Sequence, residues 1–370
     1  MLIIYNFLSS IFFSTISIFN ILIYKYKAYQ KATYFIYLNN NTEIENRSIH
    51  YLKHIKLNQT LNFVRSNSDL LNLKLIMKIP NIVFFSKIEY LMKFFDKIKF
   101  IKNSNVLLEK FLEFIFSYLN IKKFLSIDDY RLIEIFDKVC QKKKVFSIFY
   151  MHGRFSTSQK FLAKIKPNIY LVWSEYFKNK LLKINNKIDS KQIIVTGNPN
   201  LKKKIFNNKK TNILFIYEDN MNLKRIIHIT KKFKDKKNKF YFKNKPGYKI
   251  SNKYFLTFSK NNIKIIDHMN FRDIVIKYNI GFLIAFDSTM LIESLYYNLI
   301  PIKLLSKKNI SQDLVNEKLI FKADKDKDLL KIFNNLKKYK KKVLVNKNKV
   351  WENKLGLISR KFFLNKTFSN

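Results

Sequence analysis

Residues 281–305 read GFLIAFDSTMLIESLYYNLIPIKLL. The run FLIAF at 282–286 has the length and apolar character of a strand. Asp287, Ser288 and Thr289 stop it, and from 289 to 297 the apolar residues recur at helical spacing. The turn before Pro301 leads into PIKLL at 301–305, a second buried strand. Two strands joined through a helix must run parallel, so this stretch predicts a βαβ unit.

The same alternation extends in both directions. Upstream in this half lie strand NILFIY at 212–217, helix 222–233, strand KFYFK at 239–243, the turn NKPG, strand IKII at 263–266 and helix 270–278. Downstream, helices are expected near 326–337 and 348–362, with the basic run near 338 as a loop or helix end. The earlier half offers strands at 33–38, 81–85, 123–127 and 145–151, followed by IYLVW at 169–173 and QIIVTG at 192–197. Helices are expected at 105–119, 131–141 and 175–183. The basic stretch 201–211 separates the halves as a linker. The expected class is α/β, with two doubly wound Rossmann-like halves facing a cleft. Its divisions are an apolar segment 1–24, an N-terminal domain 33–200, a C-terminal domain 211–347, and a helix and tail 348–370.

Composition sharpens the choice of functional positions. The chain has 5 glycines and 5 prolines in 370 residues, where ordinary usage would give roughly 26 and 18. Lys, Asn, Ile, Phe and Tyr dominate, a set that shares AT-rich codons. A glycine kept under such a bias marks a position where geometry or chemistry calls for it. Gly153 in MHGRF, Gly197 in VTGNPN and Gly247 in NKPGYK all lie in short polar turns.

The net charge of +45 reflects either drift toward lysine on solvated faces or attraction to an anionic partner. Nucleic acid is disfavoured, because arginine is scarce and no helix-turn-helix, finger or aromatic RNA-binding motif is present. Cys140 is the single cysteine, so no intramolecular disulfide forms, and it reads as core filler on a helix.

Residues 1–24 carry no charged side chain, and Lys25, Lys27 and Lys31 follow. About 20 apolar residues suffice to span a bilayer. This segment includes Asn6, Asn20 and five Ser or Thr residues, and it lacks a signal-peptide n-region. It is either a membrane anchor, with the downstream lysines on the cytoplasmic side, or a buried or interfacial helix of the fold.

Parallel sheets bind ligands at the carboxyl ends of their strands. Polar clusters fall at those ends: Asp128-Asp129, His152-Gly153, Trp173-Ser174 and Gly197-Asn198 in the first half, and Lys245-Pro246-Gly247 and Asp287-Ser288-Thr289 in the second. Ser288 or Thr289 would cap a helix whose start can hold phosphate, with Glu293 one turn on in reach of a ribose. The alternative is plain capping with a solvated Glu293. His152 has a pKa suited to proton transfer, or else it braces the Gly153 turn. Arg154 either clamps an anion or points to solvent. Asp128 and Asp129 either act as bases or cap helix 131–141. The acidic ADKDKD at 323–328 lacks the glycine and terminal glutamate of a calcium loop and reads as a helix cap. The other histidines lack metal-ligand spacing.

The ordered series DDY, YMHG, VWSEYFK, IIVTGNP, LFI, KPG, FDSTMLIESL and IPI, over roughly residues 120–305, resembles bacterial GT-B-fold glycosyltransferases of surface-polysaccharide synthesis. It is similar to capsule, O-antigen and polysialyl-type enzymes, and more distantly to glycerophosphotransferases of teichoic acid assembly. The resemblance implies a nucleotide-sugar donor held by Lys245, Ser288, Thr289 and Glu293, with Lys245-Pro246 standing where the family usually has His-Pro. It implies a catalytic group among His152, Asp128 and Asp129, and a cleft lined by Gly153, Arg154, Ser174, Gly197 and Asn198. It further implies a glycan or lipid-linked acceptor, no cofactor, no bound metal, and a cytoplasmic location at the inner membrane face where an anionic surface is at hand. Two other readings stay open. One is a nucleotide-sugar 2-epimerase of the same fold; the other is a non-catalytic, membrane-associated polyanion-binding protein.

Overall fold

The computed structural model describes residues 2–26, 30–37, 59–66, 81–100, 103–126, 132–151, 159–198, 211–217, 223–233, 238–244, 252–267, 271–305 and 311–351, with isolated positions such as Gly153, Phe155 and Leu201 between them. The chain divides into two compact units. The first comprises Met1–His152 and Gln159–Asn200 with the C-terminal Gly356–Asn370. The second comprises Gly153–Ser158 and Leu201–Leu355.

The first unit opens with α1 (Leu2–Tyr26) and β1 (Lys31–Tyr37). There follow β2 (Leu61–Ser66), β3 (Ile82–Phe84), α2 (Phe85–Lys97), α3 (Ser104–Tyr118), β4 (Lys123–Ser126) and α4 (Ile133–Lys142). It continues with β5 (Phe146–Tyr150), β6 (Ile169–Val172), α5 (Glu175–Ile184) and β7 (Ile193–Val195). All seven strands are parallel, in the order β3-β2-β1-β4-β5-β6-β7. The order reverses between β1 and β4.

Aromatic packing fills the space beneath this sheet. Phe63, Phe85, Phe124 and Phe136 meet in one cluster, with Phe124 stacked on Phe136 at a centroid distance of 4.8 Å. These rings come from strands on both sides of the reversal and from the helices that cover them. Such side chains supply large apolar area, which suits a chain poor in alanine.

Helix α1 packs along α2 and the edge strand β3. The Asn20 amide donates to the Ile82 carbonyl at 2.8 Å, and the Phe84 N–H donates to Ser17 Oγ at 2.9 Å. The Tyr24 hydroxyl donates to the Lys31 carbonyl. An edge strand leaves a row of unpaired backbone groups, and α1 satisfies part of that row with side chains. Ser10, Ser14, Ser17 and Tyr24 of the apolar segment are therefore turned inward.

The second unit holds β8 (Asn212–Tyr217), α6 (Leu223–Lys232), β9 (Phe240–Asn244), α7 (Asn252–Lys260), β10 (Ile263–Ile265) and α8 (Phe271–Lys277). It continues through β11 (Ile280–Ala285), α9 (Met290–Tyr296), β12 (Ile300–Leu304), α10 (Gln312–Asn316), β13 (Phe321–Ala323), α11 (Asp326–Asn334) and α12 (Leu336–Trp351). Its six strands are all parallel, in the order β10-β9-β8-β11-β12-β13. The reversal here falls between β8 and β11. The two doubly wound sheets bear out the expected class.

Several elements differ from the sequence reading. The basic run near 338 is the interior of α12 rather than a loop, because lysine is a good helix former and Val343 and Val350 anchor one face in the core. Of the helix expected at 348–362, residues 348–351 belong to α12, and the rest lies outside the described residues. Helix α4 has Leu132 at its N-cap position, which makes no side-chain cap bond, and Asp128 and Asp129, the expected cap, lie outside the described residues. Strand β2 and helices α2 and α7 had not been anticipated. The acidic 323–328 run starts α11, where the Asp328 carboxylate accepts the Lys325 N–H at 2.9 Å, as a helix cap should.

Candidate functional site

In the second unit the carboxyl end of β11 stands at the reversal of strand order, where doubly wound sheets open a crevice. Residues 287–289 lie there. Ser288 is buried and its Oγ accepts the Met290 N–H at 3.3 Å. Thr289 is the N-cap of α9 and makes no side-chain cap bond. The two hydroxyls thus have different duties, one in the turn and one outside it.

Helix α9 is held firmly for so short an element. All seven of its residues are buried. The Trp351 indole N–H, at the end of α12, donates to the Ile292 carbonyl at 2.9 Å. Ser294 returns its hydroxyl to the Leu291 carbonyl. Glu293 is buried in the first turn of α9, and its charge adds to the burial that pushes the Tyr297 hydroxyl pKa up.

Two lysines missed by the sequence reading flank this edge. Lys303, on β12, is fully buried, with Nζ 4.0 Å from Asp287 Oδ1. The same Asp287 oxygen accepts the Ser311 N–H at 2.8 Å. Lys243, near the end of β9, is also buried, and its Nζ donates to the Met269 carbonyl at 2.8 Å. The next residue, Asn244, gives its backbone N–H to Asp267 Oδ1 at 2.7 Å. Each lysine interrupts an apolar strand, PIKLL or FYFKN, and that interruption was the available signal. Lys245 itself lies outside the described residues.

Gly153 groups with the second unit. A Cβ added there would lie 3.6 Å from Thr289 Oγ1. The glycine therefore brings bare backbone close to the Thr289 hydroxyl. His152 and Arg154 on either side lie outside the described residues.

In the first unit the register aligns three strand ends. Met151 extends β5 through its N–H to the Leu171 carbonyl, and Thr196 extends β7 through its N–H to the Val172 carbonyl. Trp173, after β6, is fixed by its indole N–H to the Tyr150 hydroxyl at 2.7 Å. Ser174 caps α5 by position only, and its buried hydroxyl has no hydrogen-bond partner. Gly197 adopts φ 78°, the left-handed region that other residues rarely adopt. Asn198 beside it is buried. The structure thus brings Ser174, Gly197 and Asn198 to one edge of the sheet. Asp128 and Asp129, which follow β4 at the reversal point, lie outside the described residues. Among the described residues no cluster of three His, Cys, Asp or Glu side chains is arranged to hold a metal ion.

No protein-family model matches the chain. No curated protein matches it in sequence. Solved structures do share its fold. The UDP-GlcNAc 2-epimerase of Neisseria meningitidis, solved with UDP-GlcNAc, superposes with a TM-score of 0.58 at 13% identity, covering 90% of this chain and 98% of that one. The calicheamicin glycosyltransferase CalG4 gives 0.58 at 6% identity, covering 92% and 100%. MurG of Acinetobacter baumannii gives 0.56 at 7% identity, covering 90% and 98%. Likeness at such low identity establishes the architecture: the chain has the GT-B-type fold.

Proposed function

We propose that this chain is a glycosyltransferase. It moves a sugar from a nucleotide-activated donor to a surface-polysaccharide or lipid-linked acceptor, in the cytoplasm at the inner membrane face. The observation that carries the reading is the placement of Ser288 and Thr289. They follow β11 at the reversal of strand order, beside the bare backbone of Gly153 and on a rigid, buried helix. That is a surface a diphosphate can approach closely.

In the transfer, the acceptor oxygen bonds to the sugar carbon while the bond from that carbon to the leaving phosphate oxygen breaks. The phosphate takes the electron pair and gains negative charge. The hydroxyls of Ser288 and Thr289 and the Lys245 ammonium are the groups assigned to meet that charge. Glu293 is assigned to accept hydrogen bonds from the ribose. The acceptor proton goes to His152, or to Asp128 or Asp129 after β4. Gly153, Arg154, Ser174, Gly197 and Asn198 are assigned to line the cleft in this scheme.

Calorimetric titration with UDP, GDP and CMP tests the donor half. We expect one of them to bind, and Ser288→Ala with Thr289→Ala to weaken binding by roughly 10²–10⁴-fold, as loss of two hydrogen bonds to a charged group implies. Unchanged affinity in the folded double variant would remove the phosphate assignment. A second reading, 2-epimerisation of the nucleotide sugar, is favoured by the fold shared with the Neisseria epimerase. Incubation with UDP-GlcNAc and no acceptor decides between the two: an epimerised sugar nucleotide supports the epimerase and counts against transfer.

A further inference from the structure

Helix α1 inverts the usual arrangement of an amphipathic helix. Ser10, Ser14 and Ser17 face inward together with Phe13, Ile21 and Tyr24, and most of the remaining large apolar residues face out. Leu8, Phe12 and Phe19 are each more than half exposed. The one Ser or Thr among the exposed residues of α1, Thr15, donates to its own Ile11 carbonyl, which hides its polarity within the helix. A helix of 25 residues, about 37 Å long, therefore presents an almost unbroken apolar stripe.

The stripe continues onto neighbouring helices at both ends. At the N-terminal end Phe7 packs on Phe94 and Phe95 of α2, and Phe95 on Phe100, which is 77% exposed. Lys97 and Lys99, which precede Phe100 in the chain, are exposed. At the other end the Lys25 ammonium sits 4.1 Å above the Tyr118 ring, and Tyr118 stacks on exposed Phe114. The result is an apolar band edged by aromatic rings and lysines, the composition of a surface that sits at a lipid headgroup boundary.

We infer that α1 lies in the plane of an anionic lipid bilayer, with its outer stripe in the headgroup and acyl boundary, and does not span it. Spanning would pull Asn20, Ser17 and Tyr24 off β3 and β1 and leave the sheet edge bare. A second copy of the chain is a poor occupant, since each copy carries a net charge of +45 and lysines at this edge. An anionic surface has the complementary charge. The inference rests on the membrane-side location proposed above and is independent of the sugar chemistry.

Flotation of the full chain with vesicles tests it. We expect binding to phosphatidylcholine–phosphatidylglycerol vesicles that falls as salt rises, weak binding to pure phosphatidylcholine, and release by alkaline carbonate. Leu8→Gln with Phe19→Gln should abolish flotation at an unchanged melting temperature. Lys97→Glu with Lys99→Glu touches no buried side chain. It should lower partitioning by at least about 25-fold, from about fivefold for each lysine lost near an anionic surface, with repulsion of the two new carboxylates adding to that. Retention after carbonate would mean a spanning helix and overturn the inference. So would undiminished flotation of the lysine variant, which decides the matter if the glutamine variant does not fold, or a vesicle-free dimer that the glutamine substitutions dissociate. Nucleotide titration without vesicles reads the donor site separately, so either proposal can fail alone.

Discussion

Lys303 Nζ lies 4.0 Å from Asp287 Oδ1, with the lysine side chain wholly out of solvent. A buried charge without its partner is expensive. Asp287→Ala removes the counter-charge and the acceptor of the Ser311 N–H together, so it should cost about 3–5 kcal/mol. Lys303→Met keeps the stem volume and leaves Asp287 bonded to Ser311, so it should cost clearly less. Urea unfolding of both variants checks the order. Equal losses would mean that the pair is not coupled.

Gly153 gives a graded test of close approach at Thr289. A Cβ there meets Thr289 Oγ1 at 3.6 Å, an ordinary contact. Gly153→Ala should fold and bind nucleotide nearly as the parent does. Gly153→Leu places further atoms over the hydroxyl and should weaken nucleotide binding while leaving the melting temperature close to that of the alanine variant. If both variants bind alike, bare backbone at this position is not needed by the ligand.

His152→Ala should lower turnover by about 10²–10⁴-fold if the imidazole takes the acceptor proton. Nucleotide affinity should barely move, since that site is assigned to the second unit. If the histidine only braces the Gly153 turn, the same variant loses thermal stability and keeps near-normal turnover. Melting temperature and turnover on one preparation separate the two outcomes.

Asp137 gives the first unit a pH dependence of its own. Burial raises its carboxyl pKa to about 6, against backbone and side-chain hydrogen bonds from Lys166 and Gln141 that pull the other way. One of its oxygens is buried without a partner. The folded state therefore holds this proton more tightly than the unfolded chain does. Its contribution to stability is largest below the unfolded pKa and is lost as pH rises from about 4 through about 6. Asp137→Asn should flatten the change in unfolding free energy over that window and raise stability at neutral pH by up to about 3 kcal/mol. A parallel pH profile in the variant would show that Asp137 does not titrate there.

Strand and helix alternation was legible wherever an apolar run ended in a polar stop, as at FLIAF followed by Asp287, because both sheets are parallel and their central strands are buried. Strand β2 escaped notice because LNFVRS carries Asn62 and Arg65, and its place is fixed by register against β1 rather than by its own pattern. Ser288, Thr289 and Glu293 could be singled out because a strand end, two hydroxyls and a helix start are contiguous in sequence. Lys303 and Asp287 could not be paired in that way, since their proximity depends on β12 lying beside β11. The polar residues of the first segment were plain in the sequence, but the inward turn of Ser17 and Asn20 was not, because their partners on β3 lie more than 60 residues away.

The bonds from Asn20 to Ile82 and from Phe84 to Ser17 bear on how this protein should be handled at the bench. Trimming a greasy amino terminus is a common way to raise solubility. Here the trimmed piece is the cover of a sheet edge, and removing residues 2–24 would trade an oily helix for a bare β3. The shortened protein should enter inclusion bodies or form fibrillar aggregates more readily than the full chain. A mild detergent or the outward Leu8→Gln and Phe19→Gln changes would make it tractable without uncovering the strand.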